Sequence, residues 1–91
     1  MPKMSFAQWT AAREELKTIR ASARQAGLAN LDEVLAVVDM SLTVDECPTI
    51  AAIELDFLAR QLHGSPDIRK AMRELSKQLY IYPSAEVVPL H

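Results

Sequence analysis

One cysteine, Cys47, is all the sulfhydryl chemistry this chain contains, so no disulfide forms within it and the small cross-linked folds are excluded. Aromatic residues are only 5% of the 91 residues, too few for the core of a β-sandwich. No apolar run reaches the roughly 18 residues that a membrane span needs. The first ten residues read as the start of a helix rather than the apolar centre of a signal peptide, and no lipidation motif is present. These absences predict a soluble, cytoplasmic protein without a transmembrane segment. Signatures of chemistry are missing as well: no HExxH, no cysteine pair at metal spacing, no Glu-x-x-His, no P-loop and no GxSxG. The expectation is a protein with no catalytic residues, no cofactor and no metal site. His63, near a helix C-terminus, reads as a favourable contact with the helix dipole, and Cys47, with no adjoining basic residue to lower its pKa, as an inert thiol.

What is present points to helices. Hydrophobic residues are 49% of the chain and thirteen of them are alanines, a composition that lets helices approach closely, and the length fits one domain that buries about 60% of its unfolded surface. The class is all-α. Net charge is −2, unevenly spread. Residues 1–27 carry Lys3, Arg13, Lys17, Arg20 and Arg24 against Glu14 and Glu15. Residues 28–64 carry seven carboxylates against Arg60 alone, and residues 65–91 return a small positive excess. Such asymmetry predicts basic terminal helices held against an acidic central pair, the alternative being a charged binding face.

Four helices follow from the periodicity, expected over residues 6–26, 31–42, 48–63 and 66–80. Ser5 with Gln8 three residues on is a capping box, and Trp9, Ala12, Leu16, Ile19, Ala23 and Ala26 form one apolar stripe that Gly27 terminates. Beside it Arg13, Lys17, Arg20 and Arg24 make a basic ridge, either a contact for an acidic partner or a solvated flank. Asn30 before Asp32 and Glu33 is the next start signal, and Leu31, Val34, Leu35, Val37, Val38 and Leu42 predict a deeply packed second helix. Pro48 opens the third. This helix carries two stripes, Ile50, Ile53 and Phe57 on one and Ala51, Leu55, Leu58 and Leu62 on the other, where a surface helix needs one; both require cover from other helices or another chain. Asp56 and Arg60 read as a surface ion pair. Gly64, Ser65 and Pro66 predict stop, N-cap and first turn at a tight junction, and Ile68, Met72, Leu75 and Leu79 give the fourth helix a narrow seam. The economical closure is an antiparallel four-helix bundle over residues 1–82.

Residues 83–91 form an expected extended tail, since Pro83 and Pro89 stop a helix while Val87, Val88 and Leu90 are too apolar for an ordinary disordered terminus. With the end of the last helix, this gives Tyr80, Tyr82, Pro83, Val87, Val88 and Leu90 as candidate partner-binding residues, the other reading being a tail packed on its own bundle. DNA binding fits poorly: the helix after Gly27 has no Arg, Lys or Gln to reach base edges, and the basic helix after Gly64 begins Ser-Pro-Asp in a net acidic chain. The stretch IELDFLARQLHGSPDIRKAMRELSKQLY, residues 53–80, resembles the small bacteriocin immunity proteins of the enterocin A immunity type, with a Leu-rich third helix, a short turn and a last helix ending in a Leu-Tyr pair before a tail. The whole chain is similar to them in length and helix number. The resemblance implies a non-enzymatic four-helix protein that protects a producer cell from its own peptide toxin, with specificity in the C-terminal part. The acidic balance departs from the mostly basic members and argues against a role at a membrane surface. The function expected is therefore binding of a protein or peptide partner. A small dimeric helical regulator, of transcriptional or anti-activator type, is the alternative.

Overall fold

Ser5 begins the first helix with both halves of its capping box in place: its Oγ accepts the Gln8 backbone N–H at 3.1 Å, and Gln8 Oε1 accepts the Ser5 N–H at 2.9 Å. In the computed structural model, which describes residues 5–44 and 47–80, four helices follow: α1 (Phe6–Gln25), α2 (Ala29–Thr43), α3 (Pro48–Gln61) and α4 (Pro66–Tyr80). The fold is an all-α four-helix bundle. Packing runs α1 to α2, α2 to α3, α3 to α4 and α4 back to α1, so α3 lies diagonally across from α1.

Helix boundaries shift where local geometry outweighs the residue signals. Gly27, at φ 79°, ends α1 in a Schellman turn, with Leu28 N–H donating to Ala23 O and Gly27 N–H to Arg24 O; only glycine takes this left-handed position without strain. The turn delivers Leu28 directly against the core, so α2 starts at Ala29 without a side-chain cap, and Asn30, expected to cap it, lies inside the first turn. At the other junction α3 stops at Gln61, because Leu62 turns extended (ψ 120°) and packs against the core from outside the helix. Gly64 and Ser65 then both take positive φ, 79° and 43°, and the Ser65 carbonyl accepts the Arg69 N–H to begin α4.

The core holds one stripe from each helix: Leu16 and Ile19 from α1, Leu35, Val38 and Leu42 from α2, Leu55 with Ala51, Ala52 and Ala59 from α3, and Met72, Leu75 and Leu79 from α4. Ala12 and Ala23 are buried while Trp9 is half-buried and Ala26 exposed, so the α1 stripe is shorter than its apolar sequence. The Trp9 indole N–H reaches across to the Leu42 carbonyl at 3.3 Å, satisfying one of the carbonyls that the last turn of α2 leaves without a helical partner. The expectation of deep packing around α2 is corrected. Val34 and Val37 are exposed, because a helix in a four-membered ring meets two neighbours and a core, which covers one stripe and its flanks but not the outer side.

Candidate functional site

The basic ridge of α1 faces α2. Arg13 donates through Nε and Nη2 to the two carboxylate oxygens of Asp39, at 3.1 and 3.0 Å, a two-pronged geometry that a guanidinium forms with a carboxylate, and its guanidinium also sits 5.2 Å from the Trp9 ring centre. Arg20 and Arg24 share Asp32, at 2.7 and 3.1 Å. Among the described residues Lys17 pairs only with Glu14, at 3.9 Å on its own helix. The hydrogen bond from Arg20 holds the Asp32 carboxyl below its ordinary pKa of 3.8; partial burial works the other way, and Arg24 adds to the lowering. The Asp39 hydrogen bond likewise raises the Arg13 guanidinium above its ordinary value, against the opposing effect of burial. Three of the four residues considered for an external charged contact thus join α1 to α2.

Among the described residues, the outer sides of α2 and α3 expose large apolar side chains. On α3, Leu55, Ala51 and Ala59 enter the core, whereas Ile50, Ile53 and Phe57 remain 47%, 49% and 58% exposed. On α2, Val34, Val37, Met40 and Val44 are similarly exposed. At 100° per residue these positions fall on the side of each helix away from the core, and the Ser41 hydroxyl, donating to Glu54 Oε1 at 2.9 Å, closes the seam between them. The two stripes are exposed apolar strips on neighbouring helices, with Glu54 between them. Toward α4 the α3 strip borders a hollow of about 240 Å³ lined by Ile53, Asp56, Phe57, Arg60 and Tyr80. There Asp56 is matched by Arg60 at 2.9 Å, the expected ion pair, and by Arg73 at 3.9 Å.

Tyr80, expected to bind a partner, stands on this hollow and is 53% exposed. Tyr82, Pro83, Val87, Val88 and Leu90 lie outside the described residues. Sequence reasoning identified the Ile50, Ile53 and Phe57 stripe as needing cover but assigned Val34 and Val37 to the core and gave Met40 and Val44 no role. The signal was available: Val34, Val37 and Val44 repeat on α2 beside the Leu35, Val38 and Leu42 stripe, the same doubling that marks α3. Among the described residues no three metal-ligating side chains cluster, and no helix is long and apolar enough to cross a membrane. No family model, curated protein or solved structure matches this chain.

Proposed function

We propose that this chain is a protein-binding helical module and that it binds through the outer face of α2 and α3. The observation that carries this reading is the second apolar stripe of α3, Ile50, Ile53 and Phe57, which stays exposed while the neighbouring helix α2 also exposes Val37 and Met40. Scattered apolar side chains on a surface are ordinary, but large ones aligned along one helix stripe mark a candidate interaction site. The half-exposed aromatic side chains Phe57 and Tyr80 at one edge are of the kind that anchors such interfaces. A photo-crosslinking residue at Val37 or Phe57, in the cells that make the protein, should give discrete protein adducts that Ile53→Asp removes. The same residue at Lys70, on the charged side of α4, should give none. Equal labelling from both positions would refute binding through this face.

The finer reading is immunity to a peptide bacteriocin, and it rests on the resemblance of residues 53–80 to that family's helical pattern. Expression of the chain should then raise the tolerance of a sensitive cell to one member of a panel of peptide bacteriocins. Unchanged sensitivity across the panel removes the immunity reading and leaves the binding surface in place.

A further inference from the structure

We infer that residues 81–91, which lie outside the described residues, fold back over the hollow beside Tyr80 and cover the Ile53 and Phe57 stripe of α3 until a partner displaces them; this rests on the reading of that stripe as a binding surface. The first observation is where the chain leaves the bundle. Tyr80 is the last residue of α4 and lines the hollow of about 240 Å³ together with Ile53 and Phe57. Whatever follows Tyr80 starts at the rim of that hollow. The two helices run antiparallel, since Arg69 meets Leu62, Arg73 meets Asp56 and Ser76 meets Ala52. That register puts the end of α4 beside the first turn of α3, so a segment returning along α3 passes Ile53 and then Phe57.

The second is length and composition. Ile50 to Phe57 spans about 10 Å at 1.5 Å per helical residue, which three or four residues of extended chain cover at about 3.3 Å each. Eleven residues follow Tyr80, enough for a reversal at Pro83, Ser84 and Ala85 with the remainder laid along the stripe; proline stops the helix and favours such a turn. In an extended segment alternate side chains share one side, about 7 Å apart, so Val88 and Leu90 match Ile53 and Phe57, about 6 Å apart along their helix. The third is charge. Arg60 and Arg73 both face the single carboxylate of Asp56, at 2.9 and 3.9 Å, which leaves one positive charge in excess at the rim. Residues 81–91 carry one acidic side chain, Glu86, and no lysine or arginine. Glu54 keeps its charge, but it flanks the stripe on the side toward α2, where Ser41 donates to it, away from the hollow. A tether this short holds the segment near the hollow at an effective concentration of about millimolar, so even a weak contact forms within the chain.

In the purified full chain, a photoreactive phenylalanine analogue in place of Phe57 should give a product of single-chain mass with an internal link to residues 86–90, in a yield that does not depend on protein concentration. Val88→Asp combined with Leu90→Asp should abolish that link and leave the helical circular dichroism unchanged, because neither residue belongs to α1, α2, α3 or α4. The same pair of substitutions should lower the urea midpoint. Ile53→Ala added to it should then lower the midpoint by less than Ile53→Ala does in the parent chain, as expected of side chains in contact. Links to a second chain in place of the internal one overturn the proposal, as does the lack of any link to residues 86–90. Full additivity of the Ile53 change with the Val88 and Leu90 changes overturns it too. The binding reading fails separately: a chain without the internal link that still forms face-specific adducts with other proteins in cells retains the surface and refutes only the fold-back.

Discussion

The Ser76 hydroxyl donates to the carbonyl of Ala52 at 2.7 Å, joining α4 to α3 inside the core. Both residues are almost fully buried, Ala52 at 0% and Ser76 at 4% exposure, and a serine hydroxyl there needs such a partner. The contact is reached because α3 presents Ala52 and Ala59 toward α4, and small side chains bring the two backbones close. Ser76→Ala removes one neutral hydrogen bond and leaves no bulky void, so it should destabilise by about 1 kcal/mol. Ala52→Leu drives a branched side chain into the same contact and should cost about 1–3 kcal/mol. Chemical denaturation of the two variants orders them; a larger loss for Ser76→Ala would mean that the hydrogen bond, rather than the close approach, holds the pair together.

Thr10 Oγ1 is a buried hydroxyl oxygen with no hydrogen-bond partner among the described residues. Replacing both the group and its desolvation cost with a methyl of the same shape, as Thr10→Val does, should stabilise the fold by about 1 kcal/mol. Val and Thr are both β-branched, so helix propensity changes little. A lower midpoint of thermal unfolding for Thr10→Val would show that the hydroxyl has a partner in solution.

Asp32 makes the α1 to α2 contact sensitive to acid. Its folded pKa is depressed below 3.8, so the folded state holds its proton less tightly than the unfolded chain does. The stabilisation is fully present above the unfolded value, at neutral pH, and disappears as pH falls through the folded value. Asp32→Asn should therefore lower the unfolding midpoint at pH 7. The gap between variant and parent should close once the pH is well below 3.8, where the parent carboxyl is also uncharged. A gap that stays constant between neutral pH and strong acid would assign the loss to packing instead of to Arg20 and Arg24.

How much of this was legible in the sequence depends on the range of the interaction. The capping box at Ser5 and Gln8, the glycine at the end of α1 and the Ile68, Met72, Leu75 and Leu79 seam are set by residues within a turn or two of one another, and the structure has all three. The uneven charge was readable as a tendency to hold basic and acidic helices together, but which arginine meets which aspartate is fixed by the antiparallel register of α1 on α2, and that register is tertiary. The start of α2 was misplaced for a related reason: Asn30 is a good cap in isolation, but the Schellman turn at Gly27 begins the next helix before Asn30 is reached. Both apolar stripes of α3 were visible. Their sorting was not, since periodicity treats two stripes alike and only the positions of α1, α2 and α4 determine which one faces inward.

That sorting separates two residues two positions apart on one helix. Leu55 is wholly buried in the core, and Ile53 is 49% exposed on the outer side of α3. Leu55→Ala should open a cavity that neighbours fill only in part and cost about 2–5 kcal/mol. Ile53→Ala removes a similar hydrocarbon volume, but from a side chain outside the core, and alanine has the higher helix propensity; the change should stay within about 1 kcal/mol. Urea midpoints of the two variants test this directly. An Ile53→Ala deficit as large as that of Leu55→Ala would show that the outer stripe is packed as firmly as the core.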